Sequence, residues 1–192
     1  MLKKLIKIAL ASLFSAGLLV FFTAPKVRAP VHPKWVLNLE TLLKESRVKA
    51  FLDVIAYAEG TLHINGYNTL YGGQVFYGYS DHPRKVLTYM SRRQLLKSSA
   101  AGRYQILQRT WDMWAPKLCL KNFGPESQDK LALALIRQMG ALYDVVEGRF
   151  ELAIKKVSPI WASLPGASYN QPMLSLKDLK YLYHKRLQAY KK

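Results

Sequence analysis

Acid is what this sequence is short of. Twelve Asp and Glu stand against 29 Lys and Arg in 192 residues, a formal charge of +17. Cysteine is nearly absent too. Cys119, the single one, excludes an internal disulfide and any cysteine-built metal site. Its default reading is a buried or half-buried free thiol. The four histidines, His32, His63, His82 and His184, fall at no zinc-binding spacing, so no metal and no organic cofactor is expected. There is no internal repeat and no low-complexity segment, which excludes solenoids and arrays.

Hydrophobic residues make up 50% of the chain, enough for one domain with a core. Without residues 1–29, which hold five cations and no acid, the remainder still carries +12. Such a field favours polyanionic partners: nucleic acid, anionic lipid or an anionic cell wall. The cations are scattered and form no arm or stripe, which argues against nucleic acid.

Lys3, Lys4 and Lys7 precede an uncharged apolar stretch over residues 8–25, the pattern of an export segment. Residues 1–29 therefore read as a signal peptide or signal-anchor, and the two readings stay open. Val27-Arg28-Ala29 has the spacing of a cleavage site, but Pro30 follows it, as Pro25 follows Ala24. At 18 residues the apolar stretch is at the short limit for spanning a bilayer. Either reading puts the domain in the periplasm, held at the inner membrane through residues 8–25 or released after processing.

Residues 30–45 read as a tether with a first helix over Trp35–Leu43, and 46–192 as the catalytic domain. Ser46 is placed to cap the next helix, along which Val48, Phe51, Leu52, Ile55 and Glu59 recur at helical spacing. Gly60 sits where that helix stops. Residues 61–80 are rich in Gly and Tyr and predict a two- or three-stranded meander turning at Gly72-Gly73. Residues 84–101 are a basic segment with no assigned element. Gly102-Arg103-Tyr104-Gln105 opens a helix carrying Trp111 and Trp114, and Pro125 starts a long one. Short helices follow at 141–147 and 150–157, and Ser175 caps the last. One small sheet among about seven helices is an α+β architecture.

Eleven of the twelve acids read as solvated, capping or turn carboxylates. Glu59 does not. It lies on the apolar stripe of its helix, at the negative end of the helix dipole, and both surroundings disfavour its charged form. A carboxyl that keeps its proton near neutrality is what a general acid needs.

Lys49-Ala50-Phe51-Leu52-Asp53 with Ala58-Glu59-Gly60-Thr61 resembles the catalytic helix of the phage lambda endolysin family. Gly72-Gly73, Tyr79 to Lys85, Ala101 to Gln105 and Ile160 to Ala167 resemble further blocks of that family, in the same order. The resemblance implies a lysozyme-like fold, mostly helical, with a small antiparallel sheet as one wall of a cleft. It implies a monomeric lytic transglycosylase acting on peptidoglycan glycan strands, with Glu59 catalytic. A hydrolytic muramidase or a catalytically silent wall-binding protein are the alternatives. Tyr104 and Gln105 are then candidates to present a ring and an amide to the glycan, or Tyr104 to pack in the core. Arg103 is a candidate partner for an acid inside the fold. Tyr169, Asn170 and Gln171 fall on the segment that forms one lip of the family's cleft. Asn68 stands where the family pattern has an acid, and the 59–66 loop is shorter than that pattern.

Overall fold

The structure is a computed structural model, and it describes residues 38–91, 94–166 and 174–192. Its central element is helix α2, Ser46–Ala58. Between Ala50 and Ala58 the sequence offers one charge and one tyrosine among seven apolar residues. A helix apolar nearly all round must be buried nearly all round, and here Ala50 through Ala56 are all buried. A short helix α1 (Leu39–Leu42) precedes it. Helix α7 (Leu176–Tyr190) and helix α5 (Leu142–Glu147) pack along α2. Between α5 and α7, helix α6 (Phe150–Val157) adds Phe150, whose ring meets Phe51 edge-on at 6.0 Å and Tyr183 at 4.9 Å.

Several punctuation marks act as the sequence predicts. Pro125 is the first residue of helix α4, Pro125–Gln138. Gly148 ends α5 in the left-handed conformation, φ 75°, and the Ser175 hydroxyl accepts the Asp178 N–H at 3.1 Å to start α7. Ser46 differs. It lies inside the first turn of α2, and its hydroxyl donates to the Tyr190 carbonyl at 3.0 Å, tying the start of α2 to the end of α7. Of the expected first helix, Leu39–Leu42 is helical and Asn38 caps it by accepting the Glu40 N–H at 3.2 Å; residues 35–37 lie outside the described residues. Helix α3 spans Gln108–Trp114, later than predicted, since residues 102–105 form a turn.

The sheet is not where the meander was predicted. Strands β1 (Leu87–Ser91) and β2 (Gln94–Ser98) pair antiparallel from Leu87↔Ser98 to Ser91↔Gln94. Residues 61–80 hold two isolated bridges, Thr69↔Val75 and Leu70↔Ala101, and two short 3₁₀ turns. Positive φ at Gly72 and Gly73 (81° and 88°) closes the expected Gly-Gly turn, yet Gly78 at 81° breaks any longer ladder. Residues 87–98 instead alternate: Leu96 and Ser98 face inward, while Met90, Leu95 and Lys97 face out. That period of two sits among basic residues, which hid it.

No helix among the described residues is long and apolar enough to cross a membrane. The export segment over residues 8–25 lies outside those residues. Cys119 is exposed, not buried, in a left-handed residue position with φ 53°.

Candidate active site

Glu59 is the C-cap of α2, and the chain leaves the helix in a Schellman turn. Gly60 N–H donates to Tyr57 O at 3.0 Å and Thr61 N–H to Ala56 O at 2.8 Å, with Gly60 at φ 71°. This fixes the backbone from which the Glu59 side chain departs. Val48, Phe51, Leu52 and Ile55 beneath it are all buried. Glu59 itself is half-buried. Its carboxyl is desolvated enough that the pKa is pushed up to about 7, and the Ser163 hydroxyl, donating to Oε1 at 2.5 Å, pulls the other way. Among the described residues, no charged group contributes to that shift.

The turn after Ala101 holds the neighbouring segments together. Arg103 N–H donates to Gln128 Oε1 at 2.8 Å, and its carbonyl lies 2.5 Å from the Thr61 hydroxyl. The Tyr104 carbonyl accepts the Trp161 indole N–H at 3.0 Å. Gly102 N–H donates to Thr69 O at 2.8 Å. At Gly102, with φ 76°, a Cβ would lie 2.1 Å from Gln128 Oε1, so only glycine fits. Gln128, fully buried, gives its amide N–H groups to the Tyr67 and Phe123 carbonyls.

Beneath this turn runs a buried polar network. Asp53 accepts from Arg103 at 2.6 Å, from Arg186 of α7, and from the Tyr190 hydroxyl at 2.7 Å. Arg103 therefore pairs with an acid inside the fold, as its position suggested. Asp129 accepts from Tyr104 at 2.6 Å and from Tyr67 at 2.9 Å. Burial raises the Asp129 pKa, while both phenols and Arg103 hold it down. Desolvation first, and then the Asp129 charge, push both phenols well above the usual tyrosine range.

The predicted site residues separate. Tyr104 is buried, its hydroxyl and carbonyl both engaged, so it packs in the core and presents no ring at an open surface. Gln105 donates its side-chain amide to the Thr69 and Gly102 carbonyls from a backbone with φ 46°. Tyr169, Asn170 and Gln171 lie outside the described residues. Asn68, the departure from the family pattern, accepts from the Tyr79 hydroxyl. Trp111 and Trp161 are buried in the core.

Three carboxylates differ from their reading in the sequence. Asp53, Asp129 and Asp144 had read as solvated, and all three are held inside the protein with donors around them. Asp144 is gripped by Arg149 and Lys156. A signal for Asp53 was there: a helix apolar on every face leaves an acid no solvent to point at. Ser163 had no such signal, because its partner is 104 residues away. A cavity of about 340 Å³ between Leu42, Arg47, Val146 and Lys191 shares no residue with the Glu59 site. No group of metal-ligating side chains occurs among the described residues.

The sequence profile of the Endolysin family matches residues 49–189. The chain belongs to the endolysin family. It is 48% identical to the endolysin of Escherichia phage lambda over 129 residues, 64% of this chain and 80% of that one. It is 42% identical to the endolysin of Escherichia phage P2 over 146 residues, 69% and 87% of the two chains. In three dimensions it resembles bacteriophage lambda lysozyme complexed with a chitohexasaccharide, with TM-score 0.69 and 42% identity over 74% of this chain and 94% of that one. A second lambda lysozyme structure superposes at TM-score 0.61 with 40% identity, covering 77% and 93%. This endolysin therefore has the lambda-lysozyme fold, and its small sheet is the β1–β2 hairpin.

Proposed function

We propose that this endolysin is a peptidoglycan lytic transglycosylase in which Glu59 acts first as general acid and then as general base. The observation that carries the reading is the state of Glu59. It is a carboxyl whose pKa is pushed up to about 7 by desolvation, with one hydroxyl partner and no cation among the described residues. The other acids without a cation or a buried network, Glu45, Glu147 and Asp178, are exposed. Among the described residues that leaves Glu59 as the one acid set up for this role. A hydrolytic glycosidase uses two carboxyl groups, one of them as nucleophile or as base for water. The chitohexasaccharide bound by the lambda lysozyme supports a β-linked amino-sugar chain as the ligand class.

The protonated Glu59 gives its proton to the oxygen joining N-acetylmuramic acid C1 to N-acetylglucosamine. As that bond breaks, the muramoyl C6 hydroxyl attacks C1 and closes a 1,6-anhydro ring. The Glu59 carboxylate takes the hydroxyl proton and returns to its starting state. No water is consumed, and an attacking group already on the sugar avoids the entropic cost of recruiting one. A group with a pKa near 7 serves both half-reactions with little bias.

Mass spectrometry of digested peptidoglycan tests the reaction type. Anhydro-muropeptides are expected, and reducing muramic acid ends would instead establish a muramidase. Wall clearing unchanged in Glu59→Gln would remove Glu59 from the mechanism and favour a silent wall-binding protein. For residues 1–29 the proposal is export to the periplasm. Fractionating cells and weighing the membrane-bound and soluble forms separates a retained anchor from a cleaved signal.

A further inference from the structure

Ser163 and Glu59 come from segments far apart in the chain, and one turn positions both. On one side the Arg103 carbonyl lies 2.5 Å from the hydroxyl of Thr61, two residues after Glu59. On the other the Tyr104 carbonyl accepts the indole N–H of Trp161, two residues before Ser163. Consecutive carbonyls of one turn thus locate the two ends of the Ser163–Glu59 contact. The serine itself stands between two buried anchors, Trp161 and Leu164, and Leu164 N–H closes back on Trp161 O at 2.9 Å. The backbone that carries the hydroxyl is thereby fixed opposite Glu59.

We propose that Ser163 is a positioning residue for the acid: by donating to Oε1 of Glu59 it assigns the transferable proton to Oε2 and aims that oxygen at the leaving group. In a protonated carboxyl one oxygen is carbonyl-like and accepts, while the other carries the hydrogen. Occupying Oε1 with a donor therefore selects the tautomer. After the proton has been given up, the same hydrogen bond becomes charge-assisted and stabilises the carboxylate that must act as base. The buried Tyr104 contributes through its carbonyl, by setting where Ser163 stands, not through its ring. This inference rests on Glu59 being the acid, and its test includes a readout that does not depend on activity.

The decisive measurement is a ¹³C NMR titration of the Glu59 side-chain carboxyl in the full chain, assigned by its disappearance in Glu59→Gln. Removing a hydrogen bond to the charged form in Ser163→Ala should move the Glu59 midpoint up by roughly one pH unit. The same variant should lower kcat on peptidoglycan about tenfold with KM unchanged. Ser163→Thr keeps a hydroxyl and should restore both the midpoint and kcat. A midpoint that stays at its wild-type position in Ser163→Ala overturns the proposal whatever the activity. So does an unchanged kcat. If Glu59→Gln still clears walls, the reading of Glu59 as the acid fails, a separate result from an unmoved titration.

Discussion

Asp53 and Glu59 are both carboxylates of helix α2, six residues apart, and they live in opposite conditions. Asp53 is 3% exposed and takes hydrogen bonds from Arg103, Arg186 and Tyr190. Glu59 has the Ser163 hydroxyl and a desolvated carboxyl. Burial alone thus does not mark an acid as functional. Burial between two guanidinium groups makes a carboxylate a structural tie between α2, the 102–105 turn and α7. Burial without a cation leaves the proton on and makes it a reagent. If that distinction holds, the two residues should fail in different ways.

Glu59→Gln is expected to cost the most. It keeps the shape of the side chain but removes the proton that is transferred, so lysis rate should fall about 10²–10⁴-fold. Turbidity loss of a cell-wall suspension measures it. The melting temperature at pH 6 should be unchanged or higher. Asp53→Ala should reverse the pattern. It strands Arg103, whose side chain is 11% exposed, without its ion-pair partner, leaving the Asp129 carboxylate as the opposite charge that still acts on it. Removing one partner of such a buried pair costs about 3–5 kcal/mol, roughly 10 °C in melting temperature for a domain this size. Calorimetry checks the loss. Lysis per folded molecule at low temperature should stay within a few-fold of wild type.

A smaller effect separates the two acids by pH. A carboxyl whose folded pKa lies above its unfolded value binds its proton more tightly in the native state. Glu59 therefore leaves stability untouched below about pH 4.5, where both states are protonated, and lowers it progressively as pH rises toward about 7. Replacing it by neutral glutamine removes that penalty. Glu59→Gln should be more stable than wild type at pH 8 by on the order of 1–3 kcal/mol, and the gain should vanish at pH 4. Denaturant titrations at the two pH values decide it. A variant that is dead, yet more stable only above neutrality, would be hard to explain by anything but an acid held protonated.

How much of this was legible in the sequence differs between the two residues. Glu59 was, because a helical stripe of Val48, Leu52 and Ile55 continues onto it and Gly60 ends the helix there. The helix boundaries at Pro125, Gly148 and Ser175 were legible for the same reason: each uses a local backbone device. Asp53 was misread as solvated. Its partners lie 50 and 133 residues away, and stripe counting treats the face it occupies as polar. The sheet was expected in 61–80 because glycine and tyrosine there look like strand and turn, whereas Gly72, Gly73 and Gly78 take positive φ, and Gly78 breaks any longer ladder. The true strands carry period-two burial that basic neighbours obscure. Contacts that cross the chain, Ser163 to Glu59 among them, leave no pattern in one sequence.

The smallest expected effect completes the comparison. Glu151 has what Glu59 lacks and lacks what Asp53 has: its cation, Lys180, sits 2.8 Å away, but both side chains are about half exposed. In water the Coulomb gain is offset by solvation and by the entropy of fixing two long side chains. Lys180→Ala should therefore change stability by less than about 0.5 kcal/mol and leave lysis unaltered. Raising the salt concentration should change the difference little, since there is little to screen. A large loss would mean that cation pairing stabilises these carboxylates regardless of burial, and the contrast between Asp53 and Glu59 would then reduce to which of them has an arginine. A negligible loss isolates burial as the factor that makes a partner matter, and makes the missing partner of Glu59 a property of the site.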